Sequence, residues 1–100
     1  MTARRTRRQE LLGLLESGEW SFDGLRRELG LGVAALESDL QHLERSLRGR
    51  GRRIRVEPAA CHGCGFRFAG RAPRRFRAPG RCPECRSERI GGPWIRVAPS

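Results

Sequence analysis

The sequence predicts an α+β chain, with three short helices and a strand over residues 1–58 and a smaller β-rich unit over residues 59–100. Three observations carry this. Leucine-rich helical periodicity fills the first half, it stops between Arg50 and Pro58, and two cysteine pairs flanked by alternating apolar residues replace it. A length of 100 residues bounds the chain to one compact domain or two very small ones, which excludes a large multi-domain enzyme.

The first helix is expected from Thr6 to Ser17, where Leu11, Leu12, Leu14 and Leu15 form an apolar stripe and Gly18 is placed to stop it. Ser21 is suited to cap a second, short helix on which Phe22, Leu25 and Leu29 recur at helical spacing. Gly30-Leu31-Gly32 then breaks the chain, since glycine enters the left-handed backbone of a tight turn at least cost. A third helix over residues 33–48 carries Leu36, Leu40, Leu43 and Leu47 along one seam and ends by Gly49.

Arg50 to Arg53 make a glycine-punctuated basic turn, and Arg53-Ile54-Arg55-Val56-Glu57 alternates as a half-buried strand does, up to Pro58. Three helices, a three-residue glycine turn between the last two, and a basic hairpin-like segment follow the order of a winged helix-turn-helix with an abbreviated wing.

The cysteines are spaced Cys61-x-x-Cys64, seventeen residues, Cys82-x-x-Cys85, inside the range of four-thiolate zinc sites. Two intervening residues let one tight turn aim both sulfurs at a common ion, and two such turns complete the tetrahedron that Zn²⁺ accepts. A metal is also needed physically. Phe66, Phe68, Phe76, Ile90, Trp94, Ile95 and Val97 are too few apolar residues for a self-sufficient core. The alternations at Phe66/Phe68 and Ile95/Val97 predict short strands behind each pair, giving a rubredoxin-like zinc ribbon with Cys61, Cys64, Cys82 and Cys85 holding one structural Zn²⁺. Iron in the same four thiolates, as in rubredoxin, is the alternative metal, and His62 is read as a bystander.

All twenty-one basic residues are arginine, the formal charge is +10, and an anionic partner is expected. The arginine, glycine, proline and alanine richness equally suits a GC-biased genome. Residues up to Glu57 carry net +3 and those from Pro58 on carry net +7, so the cysteine-bearing half is the more basic. Two groups of six arginines stand out: Arg45, Arg48, Arg50, Arg52, Arg53 and Arg55 around the wing, and Arg67, Arg71, Arg74, Arg75, Arg77 and Arg81 between the cysteine pairs. With two histidines and no hydrolase or P-loop motif, no enzymatic activity is expected. The run Leu11 to Leu15, broken by Gly13, offers neither a signal-peptide core nor a membrane span, so a cytoplasmic protein without membrane association is expected.

Turning each residue of the third helix by about 100° places Ala34, Ser38, Gln41, His42 and Arg45 opposite the leucine seam, with Glu37, Asp39 and Glu44 on its flanks. That stripe is free of acids. Ser38 and Gln41 suit base edges in a major groove, Ala34 permits close approach, and Arg45, Arg48, Arg50, Arg52 and Arg53 suit phosphates. The expected partner is double-stranded DNA, with RNA, the ribosome or an acidic surface of the transcription machinery as alternatives. A homodimer is compatible with the pattern, because helix-turn-helix proteins commonly bind paired half-sites.

Over residues 9–97, and most closely in the stretches 36–47, 56–68 and 79–90, the chain resembles a prokaryotic family of predicted transcriptional regulators that fuse an N-terminal helix-turn-helix domain to a C-terminal zinc ribbon. The resemblance implies a winged-helix fold, the four cysteines as zinc ligands, and DNA binding in transcription control. The sequence departs from the pattern at three positions. Arg26 stands where the second helix usually has a small residue, Gly32 replaces a capping Ser or Thr, and Arg86 follows the second cysteine pair where glycine is common.

Overall fold

The computed structural model describes residues 6–68 and 76–99. Its elements run α1 (Arg7–Ser17), β1 (Trp20–Ser21), α2 (Phe22–Leu29), α3 (Val33–Arg48), β2 (Arg52–Glu57), β3 (Ala60–Cys61), β4 (Ile90–Gly91) and β5 (Trp94–Pro99). The fold is α+β, three helices with a small antiparallel sheet. Among the described residues no helix is long and apolar enough to cross a membrane.

Local chemistry accounts for the helix ends. Thr6 caps α1 by accepting from the Gln9 backbone N–H at 3.1 Å, while the Gln9 side chain accepts from the Thr6 N–H at 2.8 Å. This reciprocal box satisfies two otherwise orphaned donors. Ser21 caps α2 through the Gly24 N–H, and α2 ends at Gly30 in the left-handed conformation, φ 67°. Gly32 precedes α3 without a side-chain cap. Arg26, at a position expected to be small, reaches across the turn instead: its Nε donates to the Leu31 carbonyl at 3.3 Å, and the Leu31 N–H donates to the Arg26 carbonyl at 3.0 Å. The turn is thus pinned by a guanidinium.

The helices close round one core. Leu11 and Leu15 from α1, Phe22 and Leu25 from α2, and Leu36, Leu40, Leu43 and Leu47 from α3 are all buried, together with Ile54 and Ile95 from the sheet. The one buried acid, Asp39, is held by the Arg7 guanidinium in a two-pronged pair, with Nη2 3.1 Å from Oδ1. That pair ties the start of α1 to α3.

The sheet departs from expectation in one respect that reorganises the chain. Ile95 and Val97 were expected in a strand behind the second cysteine pair. Instead β5 is the central strand of a three-stranded sheet ordered β1-β5-β2, antiparallel to both neighbours. In the register Ile54↔Val97 and Val56↔Ile95, the apolar faces of β2 and β5 coincide over the helices. The physical reason is burial: an alternating strand needs an apolar surface beneath it, and only the leucine core supplies one.

The sheet therefore crosses the division expected at residue 58. Glu57 at the end of β2 pairs directly with Trp94 at the start of β5, so the chain leaves the sheet and re-enters it at one place. Within that lobe the only paired strands among the described residues are the two-residue β3 and β4. Phe66 and Phe68 form no strand: their rings meet edge to face, centroids 5.0 Å apart, beside a single bridge between Ala60 and Arg67. Phe76 leaves the lobe altogether and buries in the helical core, while Arg77 lies 3.7 Å from Glu37 of α3.

Candidate metal centre and basic surfaces

Two short turns of the same construction build the cysteine cluster. In the first, the Cys61 N–H donates to the Phe66 carbonyl at 2.8 Å, the Gly65 N–H donates to the Cys61 carbonyl at 2.9 Å, and the Gly63 N–H points at Cys61 Sγ, 3.2 Å away. In the second, the Cys82 N–H donates to the Ser87 carbonyl, the Arg86 N–H to the Cys82 carbonyl, and the Glu84 N–H points at Cys82 Sγ from 3.4 Å. Every contact of one turn has its counterpart 21 positions later in the sequence. Both turns need a left-handed residue after the second cysteine, supplied by Gly65 (φ 81°) and by Arg86 (φ 62°), the one non-glycine with positive φ among the described residues.

Facing each other, the turns bring all four sulfurs within 4.8 Å of one another, with Cys61 to Cys85 at 3.5 Å and Cys64 to Cys82 at 3.6 Å. A tetrahedral ion bonded at about 2.3 Å would set its sulfurs about 3.8 Å apart, so the cluster fits a metal ion. The first cysteine of each pair is buried and the second exposed.

The ionisation of the sulfurs points the same way. Burial pushes the Cys61 thiol up, but the backbone N–H groups of Cys64 and Gly63, with the neighbouring thiols, outweigh it and bring its pKa down to about 6. Cys64 is pushed up to about 12: the Phe66 N–H favours its thiolate, yet burial and the surrounding sulfurs prevail. Cys85 is also raised, its favourable Ser87 N–H being outweighed by Cys61 and burial. Sulfurs this close resist sharing negative charge, and a central cation relieves that repulsion.

His62 stays outside the cluster. Its backbone N–H donates to the Arg89 carbonyl in the β3–β4 pairing, and its ring lies so close over Gly91 that a Cβ there would sit 2.4 Å from Nε2. Glycine at 91 is what gives the ring room against β4.

Ala34, Ser38, Gln41, His42, Arg45 and Arg48 are all exposed along α3. The acids of that helix lie elsewhere: Asp39 is buried, and Glu37 and Glu44 are half-buried. Arg50 and Arg53 are exposed, whereas Arg52 is half-buried and its Nη2 is 2.8 Å from Glu16 of α1. Arg52 is therefore paired with α1. Arg71, Arg74 and Arg75 lie outside the described residues. Sequence reasoning missed Arg8: folding brings it beside Arg7, Ser46 and Arg50 in an open groove of about 690 Å³ between α1 and α3. No local pattern links residues 8 and 50, so only helix packing reveals that grouping.

The fold and site together define a small α+β protein with a lobe, set between two strands of its sheet, whose four clustered cysteines could hold a metal ion. No family model matches the chain, and no curated protein matches it. Among solved structures it is similar to the solution NMR structure of protein PF0610 from Pyrococcus furiosus, with 27% identity and a TM-score of 0.72 over 100% of this chain and 98% of that one.

Proposed function

We propose that the chain is a DNA-binding transcriptional regulator of the winged helix-turn-helix class, with α3 as its recognition helix and a zinc ribbon carried inside its wing. The observation that carries this reading is the exposed stripe Ala34, Ser38, Gln41, His42, Arg45 and Arg48, free of acids on a helix that holds three. Support comes also from the element order, in which α2 and α3 are joined by a glycine turn and β2 and β5 follow as an antiparallel pair. Gln41 and Ser38 would face base edges, while Arg45, Arg48 and Arg50 would lie along phosphates; Arg53, on the outer face of β2, stands apart from them.

Zinc is the proposed ion, because a closed set of four thiolates with no open position is the usual structural zinc site. Cys61, Cys64, Cys82 and Cys85 would hold it. When bound, it supplies a tetrahedral cross-link whose binding energy, on the order of 10 kcal/mol, folds the lobe.

The test is a fluorescence-anisotropy titration on duplex DNA recovered by crosslinking the tagged protein in cells, with RNA recovered in parallel. Arg45→Glu is expected to weaken duplex binding by about tenfold or more and to leave metal content unchanged. Unchanged affinity removes α3 from the interface. Recovery of structured RNA in place of DNA overturns the reading in favour of an RNA-associated protein.

A further inference from the structure

The helices cover only one face of the β1-β5-β2 sheet. Ile54, Val56, Ile95 and Val97 point into the leucine core, so by strand alternation Arg53 and Arg55 of β2 and Trp94 and Arg96 of β5 share the opposite face. All four are exposed, and Trp94, 42% accessible, is the only large hydrophobic residue left exposed among those described. Arg55 and Arg96 sit directly opposite each other in the register. Like charges so placed repel; the carboxylates nearby are Glu19, 3.9 Å from Arg96, and Glu57, which shares this face opposite Trp94 and lies 3.7 Å from Arg67.

This face is separate from the α3 stripe. The leucine seam of α3 and the inner sheet side chains share one core, so the exposed side of α3 and the outer side of the sheet look away from each other. A straight duplex lying on α3 leaves the sheet face free.

We propose that this outer face binds single-stranded nucleic acid, with phosphates on Arg53, Arg55 and Arg96 and an unpaired base stacked on Trp94. Two features select that occupant. Opposed arginines are stabilised by a run of anions lying over them, which a nucleic-acid backbone provides. An exposed indole beside them adds a flat surface for a base, available only where the base is not already enclosed in a duplex stack. An acidic protein surface would satisfy the arginines and leave the indole without a partner.

The experiment measures binding of the metal-loaded chain to short labelled oligothymidylate and oligouridylate by anisotropy, with polyglutamate as a charge control and a DNA duplex as competitor. Both single strands are expected to bind, one or the other more tightly according to its sugar, and polyglutamate to compete poorly. Trp94→Ala should weaken single-strand binding by about tenfold, Trp94→Phe should restore most of it, and Arg55→Gln should lower its salt dependence by somewhat under one unit of slope. None of these should alter the affinity for duplex, whereas Arg45→Glu should alter that alone, so failure of the α3 reading and failure of this one are separable. Absence of single-strand binding, equal competition by polyglutamate, or an equal loss of duplex affinity in Trp94→Ala overturns the proposal. A thermal melt of each variant checks that the body remains folded.

Discussion

In the helix–sheet body, seven leucines with Phe22, Ile54 and Ile95 are buried in one continuous cluster. Between Pro58 and Pro93 the described residues bury little besides Ala59, the cysteines Cys61 and Cys82, and Phe76, and Phe76 belongs to the body's core. Apolar packing explains the first region. In the second, backbone hydrogen bonds shape two matched turns, but among the described residues little that is apolar holds one turn against the other. Among the described residues the turns are joined by the two-residue β3–β4 pairing, by the His62–Arg89 hydrogen bond and by four converging sulfurs placed to share an ion.

The largest effect that would break this contrast is metal removal. Stripping the ion with a chelator, or replacing Cys82 with serine, is expected to collapse the amide dispersion of residues 60–91 in an NMR spectrum while most helical circular dichroism survives. Full metal stoichiometry in Cys82→Ser, or an ordered lobe without metal, would contradict it. Some loss of body stability is expected as well, because β5 then returns to β2 through a long unstructured loop.

Acid should reproduce that loss. Metal loading needs thiolates, and Cys61, the sulfur most readily ionised, is held at about 6 rather than near its ordinary 9.0. Because its pKa is lowered, one thiolate is already present at neutral pH, and as pH falls protons compete with the ion for the four sulfurs, so the ion is expected to be released in acid. Metal content followed by a colorimetric chelator across pH 8 to 5 checks the direction, and release that grows as pH rises would refute it.

Smaller and confined to the body is the expected cost of Leu40→Ala. Leu40 is fully buried on α3, and the cavity should lower unfolding free energy by about 3 kcal/mol in denaturant titration without reducing the number of metal ions bound. Smallest of all is a gain. Arg86 holds a left-handed backbone that the matching turn gives to Gly65, so Arg86→Gly should relieve about 1 kcal/mol of strain, less part of glycine's greater flexibility in the unfolded chain. The midpoint of lobe unfolding by NMR should rise slightly; a fall would mean that the arginine side chain makes a compensating contact.

Much of the body was legible one residue at a time. Thr6 and Ser21 act as caps, Gly30 as a left-handed stop, and the α3 seam is buried as its spacing dictates, because capping and helical periodicity are local properties. The cysteine cluster was legible for the same reason, each CxxC being a single turn. The place of β5 was not. Its alternation marks a strand, but pairing partners are chosen by the apolar surface they cover, and Ile54 with Val56 lies about forty residues away in sequence.

Sequence by itself determined the helices, the turns, the two cysteine pairs and the acid-free side of α3, since each depends on neighbours within one or two turns of chain. Tertiary structure alone decided that the four-cysteine lobe leaves from β2 and returns through β5, that Phe76 anchors in the helical core, that Arg52 pairs with Glu16, and that Trp94 and three arginines share the outer sheet face. Those outcomes follow from which surfaces bury each other, a competition among segments far apart that no local pattern records.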